Sequence, residues 1–204
     1  MIALSVNQIV SEVRKAIHSK GQNYAIADDV ARATGWLCGY GIVPSQEVTA
    51  YLSAPREEAA RPPNMTAQHI QLTKTDGLGD IVAALDYCEA FDIKSLSITK
   101  GRYPVITIGL MALRQSPPFG LFTSADKKSL PEIAAYATPE DSMSWQITDF
   151  ASAPATDKNP LLPARITIDE KDYHHLKQWA HESYVPSSEA SRKSGAGAGL
   201  NDND

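Results

Sequence analysis

Cysteine is scarce in this chain. Cys38 and Cys88 are the two residues of that type, and each sits far from the other in an apolar stretch. This argues against a disulfide framework, and a reducing compartment fits. Positive charge is also short: 19 Lys and Arg face 24 Asp and Glu, for a net charge of -5. No local block of Lys and Arg compensates. This balance argues against nucleic acid or an anionic membrane as a partner. Long hydrophobic runs are missing too. The most apolar stretch, Tyr103 to Leu113, is much shorter than the roughly 20 residues that span a bilayer. The N-terminus lacks the basic-then-apolar pattern of a secretory signal. A cytoplasmic location is the expectation. There are no internal repeats. The glycines match neither the dinucleotide-binding spacing nor a phosphate loop ending in Gly-Lys-Ser/Thr, so nothing points to a dinucleotide cofactor.

What is present is ordinary globular composition. With 43% hydrophobic and 21% charged residues over 204 positions, there is enough chain for one good core. Ser5-Val-Asn-Gln8 has the form of a capping box. Val6, Ile9, Val10, Val13, Ala16 and Ile17 then form a stripe at helical spacing, and Gly21 supplies a stop. A second helix is predicted from about Tyr24 to Gly39, with Ile26, Val30, Ala33, Trp36 and Leu37 inward. A third follows Pro44 and Ser45 through Val48, Tyr51 and Leu52. Residues 54–64, rich in Pro, Ala and charge, read as a connection.

The pattern then changes. Strands are predicted at His69 to Thr73, Ser95 to Thr99, Phe119 to Thr123, Met143 to Thr148 and Arg165 to Ile168. Helices are predicted at Asp80 to Phe91, Pro131 to Tyr136, and after Asp169, where Tyr173, Leu176, Trp179 and Ala180 turn inward. The segment from Val105 to Arg114 suits a buried strand or a buried helix, and Pro104 at its head favours the helix. Residues 151–163 form a second Pro/Ala-rich connection. Interleaved strands and helices after a helical start indicate an α+β domain. The expected organisation is one domain: a helical unit at 1–53, a connection at 54–64, an α/β body at 65–184 and a Gly-rich tail at 185–204.

The tail carries the densest chemistry. Gly195, Gly197 and Gly199 leave backbone amides open to an anion. Arg192, with Ser191 beside it, adds a planar donor fork for a carboxylate or phosphate. Asp202 and Asp204 are hard oxygen ligands suited to Mg²⁺ or Ca²⁺. The competing reading is a solvated tail of small residues, which composition alone favours. On the second helix Asp29, Arg32 and Trp36 share a face. They would hold a carboxylate ligand, or else form a surface ion pair beside a core Trp. His174 and His181 lie on one helical face, with no further ligand at zinc spacing. Cys38 stands near a helix C-terminus, which raises a thiol pKa, and reads as core. Ser124, Asp126 and Ser129 belong to a polar loop.

Two resemblances follow from these motifs. The start, Ser5-Val-Asn-Gln8 with Ala27-Asp-Asp, Arg32-Ala and Gly35-Trp-Leu37, resembles a bacterial family described as a domain of unknown function. The end, Tyr184-Val-Pro-Ser-Ser-Glu-Ala-Ser-Arg192 with Gly-Ala-Gly-Ala-Gly-Leu-Asn-Asp-Asn-Asp204, is similar to that family's C-terminus. The resemblance implies that the tail belongs to the domain. It brings no activity with it. A fainter similarity, carried by the helices ahead of Gly39-Tyr40-Gly41 and by Gly77-Leu-Gly-Asp80, is to the malate/L-lactate dehydrogenase family. There a Ser-His-Gly supplies the catalytic histidine, and this chain has Tyr40 in that place.

Two functions stay open. One is a protein or enzyme that binds a small anionic metabolite, with the tail as part of its site. The other is an accessory subunit whose tail inserts into a partner enzyme or a second protomer.

Overall fold

A computed structural model describes residues 1–55, 64–66, 69–72, 77–91, 93, 95–113, 143–148 and 163–183. These residues form an α+β fold. The elements are β1 (Ile2–Leu4), α1 (Val6–Ser19), α2 (Tyr24–Gly39), α3 (Ser45–Ser53), β2 (Asn64–Met65), β3 (His69–Leu72), α4 (Leu78–Ala90), β4 (Ser95–Gly101), α5 (Pro104–Leu113), β5 (Met143–Thr148), β6 (Ile166–Ile168) and α6 (Glu170–Glu182). The expected strand at 119–123 and helix at 131–136 lie outside the described residues, as do positions 56–63, 151–162 and 184–204.

Local signals set the helix ends. The Gln8 amide donates to Ser5 Oγ at 3.2 Å, and the Ser5 amide donates to Gln8 Oε1 at 2.9 Å, which closes the capping box. Asn23 and Asp169 cap α2 and α6 with a single bond each, their side-chain oxygens accepting from the Ile26 and Lys171 amides. At the end of α2 the Gly41 amide donates to the Cys38 carbonyl and the Ile42 amide to the Leu37 carbonyl. This is a Schellman closure, and Gly41 meets its need for a left-handed residue with φ of +76°.

The core gathers one face of most of these elements. The α1 stripe of Val6, Ile9, Val13, Ala16 and Ile17 is buried, and it packs against α2 and α6. Helix α5 is buried all round from Pro104 to Ala112, as expected of a helix without a polar face. It lies on α2 so closely that an added Cβ at Gly109 would stand 3.0 Å from Ala33 Cβ and from the Ala33 carbonyl oxygen. Strand β1 pairs antiparallel with β6, Ile2 opposite Ile168 and Leu4 opposite Ile166. The second sheet has the order β2-β3-β4-β5, parallel only between β3 and β4. Helix α4 makes the crossover between those two, as a parallel pair requires. No described helix is long and apolar enough to cross a membrane.

Candidate functional site

Among the described residues, a dense group of buried polar contacts lies where α3 meets the start of α5. Glu47 is buried in the first turn of α3, with 2% of its surface exposed. Its carboxylate accepts from the Val105 amide at 2.9 Å and the Ile106 amide at 2.8 Å. These are N-terminal amides of α5, which have no partner inside their own helix. Pro104 carries no N–H, so its position in the first turn leaves nothing unsatisfied there. Tyr103 enters the helix with φ of +59°, the left-handed region that a bulky residue seldom occupies. Its carbonyl accepts from the Thr107 amide at 3.0 Å and from Thr107 Oγ1 at 2.8 Å. Burial pushes the Glu47 carboxyl up to about 7, while the two amides pull it down.

Tyr51 continues this group one turn along α3. Its ring meets the buried Tyr103 ring edge to face, with centroids 5.5 Å apart. Its hydroxyl accepts from Gln22 Nε2 at 2.5 Å. On the other side Lys20 Nζ stands 4.6 Å from the Tyr51 ring centroid. Lys20 is buried, and its ammonium donates to the Tyr51, Leu52 and Ala54 carbonyls. These carbonyls belong to the open end of α3, where the Ala54 amide also reaches the Tyr51 carbonyl at 3.3 Å. Charged side chains thus tie α3 down through opposite ends: Glu47 to α5, and Lys20 from the end of α1. Ser45 Oγ adds a bond to Asp172 Oδ2 of α6 at 2.7 Å.

The residues singled out in the sequence fall elsewhere. Asp29 and Trp36 are half-buried on α2 and Arg32 is exposed. Trp36 packs on the core and against Tyr40, with ring centroids 4.6 Å apart. An Asp-Arg ion pair does reach α2, but it joins Arg14 of α1 to Asp28 at 2.7 Å. Tyr40 is the C-cap of α2. Ser191, Arg192, Gly195, Gly197, Gly199, Asp202 and Asp204 lie outside the described residues, as do Ser124, Asp126 and Ser129. Cys38 and Cys88 are buried free thiols, and burial pushes them up to about 12 and about 11. The cause is desolvation, not the helix end. His174 and His181 are exposed on α6, and no group of three His, Cys, Asp or Glu able to hold a metal occurs among the described residues.

Glu47, Lys20 and Tyr103 escaped the sequence reading. An acid in the first turn of a short helix ordinarily faces water and favours the helix dipole. The one available signal was the spacing of Glu47 to Val48, Tyr51 and Leu52, which puts it next to the apolar stripe. At the surface, Tyr87 and Phe91 stack near the end of α4, with an interplanar angle of 13° and exposures of 40% and 62%. The sequence matches no protein-family model, and neither curated proteins nor solved structures provide a match.

Proposed function

We propose that this protein is a non-catalytic accessory subunit that docks on a partner protein. The observation that carries this reading is the exposed Tyr87–Phe91 stack. Aromatic side chains on a rigid helix supply contact area at low entropic cost and are common anchors of protein interfaces. The buried polar groups support the same reading: Glu47 is occupied by the α5 amides and Lys20 by the α3 carbonyls. Both serve the fold. The Gly-rich segment at 195–199 would add a second contact by inserting into a groove of the partner.

The test compares the wild-type chain with a Tyr87→Ser/Phe91→Ser pair and with a chain lacking residues 195–204. Each is used to capture partners from native lysate, and the recovered partner is then purified and titrated. Binding that weakens at least tenfold in the double variant supports the reading. A wild-type chain that captures nothing, and sediments as a monomer, overturns it.

The tail motif favours a second reading, in which Arg192 and the amides of Gly195, Gly197 and Gly199 hold a small anionic metabolite, with Asp202 and Asp204 on a divalent metal. Calorimetry with citrate and with Mg²⁺, before and after deletion of 195–204, decides it. Unchanged heats on deletion would remove it.

A further inference from the structure

We propose that the Tyr87–Phe91 stack receives an arginine-bearing segment of the partner protein, with the guanidinium lying on a ring face. The inference rests on the docking function read from that stack and adds the chemistry of what docks. Tyr87 and Phe91 stand one helical turn apart at the end of α4, with ring centroids 5.8 Å apart and an interplanar angle of 13°. A near-parallel pair covers one face of each ring with the other ring and turns the second face away. Phe91 is the more open of the two. The face of an aromatic ring is its electron-rich side, and a planar guanidinium stacks there as an ammonium does not.

The helix that carries the stack is acidic throughout. It contains Asp80, Asp86 and Glu89 and no Lys, Arg or His. Asp86 and Glu89, next to the rings in sequence, are exposed. Each also has a contact within the chain, so their part is to steer a cation to the rings rather than to bond it. The C-terminal end of a helix is the negative end of its dipole, and α4 has no basic residue in its last turn to offset it. Ala83 and Ala90, at helical offsets from Tyr87, carry single methyls and leave the approach to the rings open.

The same charges decide against a second copy of this chain as the occupant. An α4–α4 pair would set the Asp80, Asp86 and Glu89 carboxylates of one copy against those of the other, with no cation on either helix. Like charges across an interface cost affinity. The net charge of -5 repels a second copy at longer range as well. A purely apolar partner segment would cover the rings but would desolvate the nearby carboxylates and the helix end without replacing water. A segment whose arginine is flanked by small residues meets both needs.

NMR titration of the full chain with a short arginine–glycine peptide tests this, against lysine–glycine and glutamate–glycine peptides of equal length. The arginine peptide should shift the ring signals of Tyr87 and Phe91 and the amides around them, and leave Val13 of α1 and Leu176 of α6 unmoved. In Tyr87→Ser/Phe91→Ser its affinity should fall about tenfold, the sum of two exposed cation–π contacts. Glu182→Gln, which removes an exposed charge on α6, should leave the affinity unchanged. The lysine peptide should bind more weakly and the glutamate peptide not at all. An arginine peptide that fails to bind, shifts spread over the surface, an equal loss in the Glu182 variant, or arginine and lysine peptides that bind alike each overturn the proposal. Capture from lysate is scored separately. A captured partner that the arginine peptide does not displace leaves the docking function standing and removes the guanidinium. A chain that captures no partner, yet takes the arginine peptide on the stack, loses the accessory function and keeps the site.

Discussion

Replacing Gly109 by Ala should destabilise this protein, although the same change stabilises most helices. In an exposed helix Ala is favoured over Gly by about 1 kcal/mol. At Gly109 the new methyl would stand 3.0 Å from Ala33 Cβ, from the Ala33 carbonyl oxygen and from Leu37 Cδ1. Leu37 can turn aside, but the Ala33 carbonyl is bonded into α2 and cannot move alone. Helix α5 must shift outward, and α5 is buried all round. Overpacking of this kind costs about 2–3 kcal/mol, so the net loss is about 1–2 kcal/mol after the helix propensity is credited. For a chain of this size that lowers Tm by about 2–8 °C. Urea denaturation followed by Trp fluorescence measures it directly. A second variant, Ala33→Gly on the Gly109→Ala background, removes one clashing partner and should recover part of the loss. A Gly109→Ala protein about 1 kcal/mol more stable than wild type would refute the close α2–α5 contact.

Other changes probe the same framework. Lys20→Met strips the ammonium from the Tyr51, Leu52 and Ala54 carbonyls and should cost about 2–3 kcal/mol by denaturant unfolding. Ser5→Ala breaks the capping box and should cost about 1 kcal/mol; a change under 0.3 would mean α1 is held by packing alone. Gly41→Ala meets no atom within 4 Å but must hold φ of +76°, so it should lose about 1 kcal/mol from the backbone alone. Cys38 and Cys88 should resist an aromatic disulfide reagent at pH 8 in the native protein and react at once in guanidinium, because burial disfavours both thiolates; fast native labelling would contradict their burial.

Much of the secondary structure was legible in order along the chain, because its causes are local. Ser5 with Gln8, Asn23, Gly41 and Asp169 act within a few residues of themselves. For Val105 to Arg114 the length of the run and the placement of Pro104 favour helix over strand, both local properties, and α5 occupies Pro104–Leu113. Strands β1 and β2 were not anticipated: three and two residues are too few to show a period. The candidate site was less legible. The face formed by Asp29, Arg32 and Trp36 does follow from helical spacing, yet spacing does not say what lies opposite. The partner that reaches the adjacent Asp28 is Arg14, on another helix.

By itself, then, the sequence determined the α+β class, the helix limits and the amphipathic stripe of α1, all consequences of short-range hydrogen bonding and side-chain period. Tertiary structure alone decided that Glu47 is buried against α5 rather than solvated, that Lys20 closes the end of α3, and that Tyr103 adopts a left-handed backbone. It also decided that β1 pairs with β6 from the far end of the described chain. Each of these depends on groups distant in sequence meeting in a low-dielectric interior, and burial of that kind leaves no mark on local residue order.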